Sequence, residues 1–165
     1  MAEILNILLF PDKGLQKKSK KIKDFNTDEI NQLILDMDKT MKERNGIGLA
    51  APQVGKNIRL ILVNTEKGSL ALLNPKIKRK SWAKELGEEG CLSLPEIWGL
   101  VKRCKKIKVE AMTKQGKKIT FEAEGLFARV IQHEVDHLDG ILFIKRTKKI
   151  VKGADKLAGL GKSKK

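Results

Sequence analysis

Six consecutive residues, Gln132-His133-Glu134-Val135-Asp136-His137, restrict this chain more than any other stretch. They hold its only two histidines, four positions apart, with a glutamate directly after the first. Residues i and i+4 lie one turn apart on the same face of an α-helix. Two imidazoles so spaced can bind one metal ion, and the adjacent carboxylate can act on a water that the ion activates. The flanking pattern predicts that helix. Leu126, Val130, His133 and His137 share one face, Phe127, Ile131, Glu134 and Leu138 lie beside it, and Asp139-Gly140 supplies the stop. Such a helix is half buried, with its histidines turned inward among apolar neighbours. The bland alternative is a pair of core histidines with satisfied hydrogen bonds; the glutamate after the first histidine speaks for metal chemistry. The motif names no reaction, because metalloproteases use the same five-residue pattern. A three-ligand site needs a further donor, and with no third histidine the candidates are Cys91, Cys104, an Asp or a Glu.

At 165 residues and 41% hydrophobic content the chain is expected to form one globular domain over residues 1–165. No apolar run reaches membrane-spanning length, and Met-Ala-Glu-Ile-Leu-Asn does not read as a secretory signal. Two cysteines do not make a disulfide framework, so a reducing cytoplasm is the expected compartment. The formal charge of +15, from 35 Lys+Arg against 20 Asp+Glu, points to a polyanionic neighbour such as RNA or an anionic surface. The alternative is a lysine-rich surface with no particular partner. Aromatics total only 4%, and no basic patch interleaved with them is visible, which argues against base stacking.

Along the chain, Ile4–Phe10 reads as a short buried strand or an anchoring segment before Pro11-Asp12. A basic connector, Lys17–Lys23, precedes an amphipathic helix. Its start is read from Asn26 with Glu29 as a capping box and Phe25 with Ile30 as a staple. Ile30, Leu33, Ile34, Met37 and Met41 face the core, and Asn45-Gly46 ends it. Gly46-Ile47-Gly48-Leu49-Ala50-Ala51-Pro52-Gln53-Val54-Gly55 is rich in small residues, which permit close backbone approach. It lacks the spacing of a phosphate loop. Strands are predicted over Arg59–Asn64, Leu70–Asn74 and Lys76–Trp82, with a break of pattern at Glu88–Pro95. Lys106–Met112 alternates with Ile107, Val109 and Ala111 on one face. Lys114-Gln115-Gly116-Lys117 turns the chain back into Ile119, Phe121 and Ala123. The expected architecture is α+β: mainly antiparallel strands packed around the central histidine helix, with one N-terminal amphipathic helix.

Three motifs stand in order: Gly46-Ile47-Gly48-Leu49-Ala50-Ala51-Pro52-Gln53, Glu89-Gly90-Cys91-Leu92-Ser93, and Gln132-His133-Glu134-Val135-Asp136-His137. Together they resemble the peptide deformylases, over roughly Pro11 to Phe143. The resemblance implies a metal-dependent hydrolase that removes the formyl group from the N-terminal formylmethionine of newly made polypeptides. It implies one divalent metal ion, Fe2+ in cells and replaceable by Zn2+, Ni2+ or Co2+, on Cys91, His133 and His137. Glu134 becomes the general base and then the acid, with the Gln53 side chain and the Leu92 backbone N–H donating to the oxyanion. Gly48 touches substrate through its backbone, while Ile47, Leu126, Val130 and His133 line the methionine pocket; ordinary core packing is their alternative. Cys104 is read as a small buried hydrophobe. Gly87, Trp98 and Arg129 depart from the pattern of well-known bacterial members, which bears on the pocket rim and not on the metal chemistry.

Two other functional classes share part of this pattern. A metallopeptidase takes a third ligand downstream, but among the 28 residues after His137 the only acids are Asp139 and Asp155. A basic RNA-binding module accounts for the charge and not for the motifs. The expected partners are N-formylmethionyl nascent chains and, through the basic 145–165 tail, the ribosome; a monomer suffices and no membrane is involved. Ile150, Ala154 and Leu157 fall at helical spacing, so part of the tail is expected to be a short amphipathic helix.

Overall fold

A computed structural model describes residues 1–162. Its central layer is a five-stranded antiparallel sheet. The strands are β1 (Gly48–Ala50), β2 (Leu60–Thr65), β3 (Gly68–Lys80), β6 (Lys106–Met112) and β7 (Lys118–Glu124), in the spatial order β1-β2-β3-β6-β7. Helix α1 (Asp28–Glu43) covers one face and helix α2 (Gly125–Leu138) the other. Strand β2 shows why its sequence is a continuous apolar run. Ile61 and Val63 join the α2-side core, while Leu60 and Leu62 join the α1-side core, so both faces of the strand are dry. A second antiparallel sheet contains β4 (Lys84–Cys91), β5 (Leu94–Cys104) and β8 (Thr147–Lys152), in the order β4-β5-β8. A third core cluster of Leu15, Leu94, Ile97, Val101, Leu142 and Phe143 belongs to this sheet and its surrounding loops. The α+β architecture with an N-terminal amphipathic helix is thus as the sequence predicts, and α2 touches strands of both sheets.

Several local expectations are corrected. The cap of α1 is Thr27, whose Oγ1 accepts from the Ile30 N–H, while Asn26 Oδ1 accepts from the side chain of Asn31. Both Thr and Asn are good caps; what decides is that Thr27 has extended backbone and Asp28 is already helical. The two strands expected on either side of Asn74-Pro75 are one strand, β3, with a bulge between Leu73 and Lys76. Asn74 adopts φ 49° there and its amide bonds both the N–H and the carbonyl of Ile22. Asn tolerates that conformation, and a proline without an N–H is at home at a bulge. Residues 4–10 form no strand but are anchored as expected: the Leu8 N–H donates to the Gln53 carbonyl and the Phe10 N–H to that of Ser93. In the tail, Ile150 pairs with Gly99 in β8 and shares no helix with Ala154 and Leu157. Helix α3 starts at Ala154, reaches Lys162, and packs Leu157 and Leu160 against the third cluster. Residues 163–165 of the expected tail lie outside the described residues.

Candidate active site

The Glu88–Pro95 stretch, expected to break the strand pattern, is a β-hairpin with Leu92 and Ser93 at its turn between β4 and β5. Gly90 within it and Gly87 just before it hide it from sequence reading because they lower strand propensity. Here they make room. A Cβ on Gly87 would lie 2.9 Å from the Arg129 guanidinium, and one on Gly90 would lie 2.9 Å from the Trp98 indole. The hairpin carries Cys91 up to the buried face of α2. Donor atoms of Cys91, His133 and His137 all lie within 4.8 Å of one another, and Cys91 Sγ is 3.3 Å from His137 Nε2. Tetrahedral bonds from one ion to sulfur and to imidazole nitrogen put neighbouring donors about 3.3–3.6 Å apart. The donor set and its spacing therefore fit a metal ion. Cys104 stays out of this group. It is buried, and its backbone N–H and C=O are both bonded by the Gln132 side chain.

Around these donors, polar groups are held with little freedom. His133 Nδ1 lies 2.9 Å from Glu89 Oε2, which leaves Nε2 for the site. Phe143 stacks on the same ring. Glu89 is clamped by both Nε and Nη2 of Arg103, and Arg129 Nη1 donates to it as well. Burial works against its charge, but Arg103 and His133 hold the carboxyl down to about 2. Burial also opposes a charge on His133, yet the Cys91 thiol and the Glu89 carboxylate raise its pKa well above the usual range. Burial and the neighbouring His133 hold His137 well below it. Arg103 Nη1 reaches on to Asp136, which also takes two bonds from Arg146.

Glu134 sits differently. It is buried, one of its carboxylate oxygens has no partner among the described residues, and burial pushes the carboxyl up to about 7. Gly48 passes so close that a Cβ there would lie 2.5 Å from Glu134 Oε1 and 2.8 Å from Val130 Cγ1. The 46–55 stretch, left as a tight loop by its composition, forms β1 and a short 3-10 turn, Ala51–Val54. That turn buries Gln53. Its Oε1 accepts from the Ala50 N–H, and its Nε2 faces Cys91 Sγ at 3.4 Å and Ser93 Oγ at 3.2 Å.

These groups open onto a cavity of about 340 Å³. Every anticipated substrate-side residue lines it: Ile47, Gly48, Leu126, Val130 and His133, together with Gln53, Leu92 and Glu134. Ile47 and Leu126 are 52% and 65% exposed, so they stand at the mouth and are not core; Val130 is 6% exposed and is both wall and core. Trp98 and Arg129 also line it. Arg129 donates to the carbonyls of Glu85 and Val101, tying α2 to β4 and β5. Sequence reading missed the roles of Glu89, Arg103, Asp136 and Arg146. A signal existed: only six of the 35 basic residues are Arg, and four of them, Arg59, Arg103, Arg129 and Arg146, sit in ion pairs. In a lysine-dominated chain an arginine marks a place needing a planar fork.

The family model described as polypeptide deformylase matches residues 4–153. A peptide deformylase of Desulforudis audaxviator is 41% identical over 150 residues, covering 90% of this chain and 97% of that protein. One from Hydrogenovibrio crunogenus is 47% identical over 163 residues, covering 93% and 95%. Among solved structures, a Synechococcus elongatus peptide deformylase in complex with actinonin superposes with a TM-score of 0.88 at 39% identity, covering 95% of this chain and 86% of that one. A class I type b peptide deformylase from Acinetobacter baumannii, bound to Met-Ala-Ser, gives 0.84 at 37% identity, covering 88% and 99%.

Proposed function

From the premise that this chain belongs to the polypeptide deformylase family, we propose that the cavity between α2 and the β4–β5 turn is its reaction centre. The enzyme removes the formyl group from the N-terminal formylmethionine of newly made polypeptides, and its family is metal-dependent. Cys91, His133 and His137 are the residues that would hold the ion. A thiolate with two imidazoles suits Fe2+, the ion we assign in cells, and also Zn2+, Ni2+ or Co2+, and it ill suits a hard cation such as Mg2+. When bound, such an ion supplies Lewis acidity that makes water a nucleophile at neutral pH.

The chain's own residues do the rest. Glu134, buried and with a carboxylate oxygen that has no partner among the described residues, takes a proton from the attacking water and returns it to the departing amine nitrogen. Gln53 Nε2, with its amide oriented by the Ala50 N–H, donates to the oxygen that gains charge, as does the Leu92 N–H just after Cys91. Ile47, Leu126 and Val130 receive the methionine side chain, and the Gly48 backbone runs beside the substrate where no side chain fits. One observation carries this reading: three donors of the right chemistry lie within 4.8 Å of one another beside a buried carboxylate oxygen with no partner. The test is hydrolysis of formyl-Met-Ala-Ser against unformylated peptides, on anaerobically purified protein with metal analysis. Formate release with one metal per chain is expected; cleavage of unformylated peptide bonds instead would replace the reading with a peptidase.

We further read residues 1–165 as one catalytic domain acting as a cytoplasmic monomer. No helix among the described residues is long and apolar enough to cross a membrane. The basic tail is a candidate ribosome contact, and it can be cut beyond Gly153 without removing β8 from the second sheet. Truncation after Gly153 should weaken ribosome co-sedimentation at low salt and leave hydrolysis of a short formyl peptide unchanged. Unchanged sedimentation would remove that contact.

A further inference from the structure

Trp82 is 99% exposed, while the other tryptophan, Trp98, lines the reaction cavity. Its exposure does not come from a loose loop. Ser81–Ala83 joins β3 to β4 and is stitched to the start of β6: the Ser81 N–H donates to the Lys106 carbonyl, the Lys105 N–H to that of Ala83, and the Lys106 N–H to Ser81 Oγ. A fixed turn thus holds an indole in solvent.

Cations surround it. With Trp82, Lys80, Lys84 and Lys102 line a groove that includes Ser81 and Cys104. Residues 75–84 contain five basic side chains and no acid, and Lys105, Lys106 and Lys108 follow on the paired segment. Lys78 and Lys106 are engaged by Glu110 and Glu124. Lys80, Lys84 and Lys102 form no ion pair among the described residues. Glu85, next to Lys84, alternates to the other face of β4.

One free aromatic face among unpaired ammonium groups has the chemistry of a single-strand nucleic-acid surface. The ring stacks a base and the lysines meet phosphates. We propose that this groove binds RNA through an unpaired base stacked on Trp82. Low aromatic content argued against stacking, but one indole in the right surroundings is enough. An anionic lipid surface would attract the same lysines, yet insertion needs a broad apolar face, and the adjoining strand β4 adds one exposed large apolar residue, Leu86. Strand β4 runs from this groove to Cys91, so its two ends lie about 23 Å apart at ~3.3 Å per residue. Bound RNA would hold the enzyme without touching the cavity.

The test measures fluorescence anisotropy of a short labelled single-stranded oligoribonucleotide over a range of salt. Trp82→Ala should weaken binding about tenfold, and Trp82→Phe, which keeps a stacking face, should restore most of it. Lys80→Ala, Lys84→Ala and Lys102→Ala together should lower the slope of log affinity against log salt by about 2. Formyl-peptide hydrolysis should be unchanged in all of them, so a failure here is distinct from a failure of the catalytic reading. Trp82→Ala binding as tightly as the parent would overturn the proposal. So would Trp82-dependent binding to phosphatidylglycerol vesicles with none to the oligonucleotide.

Discussion

Helices α1 and α2 flank the same sheet and have similar lengths, 16 and 14 residues, yet α1 buries an almost wholly apolar set and α2 a mixed one. On α1 the buried set is Ile30, Leu33, Met37, Thr40 and Met41, on one face, with Ile34 packed at its edge. On α2 every residue from Val130 to Leu138 is buried, among them Gln132, His133, Glu134, Asp136 and His137. Buried polar groups are tolerated when each has a partner, and most of these do. Gln132 bonds the Cys104 backbone, His133 lies against Glu89, and Asp136 is shared by Arg103 and Arg146. Glu134 Oε2 and His137 Nδ1 have none among the described residues. An unsatisfied buried polar atom costs about 1–3 kcal/mol. Helix α1 is built for stability, whereas α2 gives some up to keep reactive groups dry and unengaged.

The sharpest way to break this contrast is at the metal donors. Cys91→Ala should abolish metal binding and nearly all deformylation, while Cys104→Ala keeps both; metal analysis of the two purified variants decides. The reverse result would mean the site is wrongly drawn.

Glu134→Gln should retain the ion and lower turnover about a thousandfold, since glutamine cannot accept a proton. The same variant should gain in another assay. In the unfolded chain Glu134 titrates near 4.5, and burial raises it to about 7 in the folded metal-free protein. The folded state therefore holds an extra proton between those values, and stability falls as pH rises through that window, by about 3 kcal/mol in all. Urea denaturation of the metal-free protein at pH 5 and pH 8 should show this contribution as a steeper decline in the parent than in Glu134→Gln.

On α1 the pattern inverts. Met37→Ala, at a fully buried position, should cost about 3 kcal/mol in denaturation. Turnover per folded molecule should stay the same; a fall in kcat would give α1 a part in the chemistry. Gln53→Ala tests the wall facing α2 and should cost about a hundredfold in kcat with little change in metal content. The smallest effect is expected at the α1 cap, where Thr27→Ala should cost about 1 kcal/mol and Asn26→Ala distinctly less.

The histidine helix, the apolar stripe of α1 and the β6–β7 hairpin were legible because each is a local pattern. Spacing of 3.6 or 2 residues and a turn between runs are properties of neighbours in sequence. The three motifs were legible too, since their residue types carry chemistry wherever the chain goes. Other features were decided only by the tertiary structure. The hairpin around Glu88–Pro95 is fixed in part by Arg129, from helix α2 further along the chain, which fills the space that Gly87 leaves. Part of the tail is strand β8 because β5 offers it an edge. Arg103 joins Glu89 to Asp136 across 14 and 33 positions, and no period encodes such a pairing. Trp82 has Lys80 and Lys84 beside it in sequence, but Lys102 joins them only because β5 pairs with β4. Local periodicity specifies which face of an element is apolar. Which buried charge meets which partner, and which exposed groups become neighbours, depends on contacts between segments far apart in the chain, and those exist only once the chain has folded.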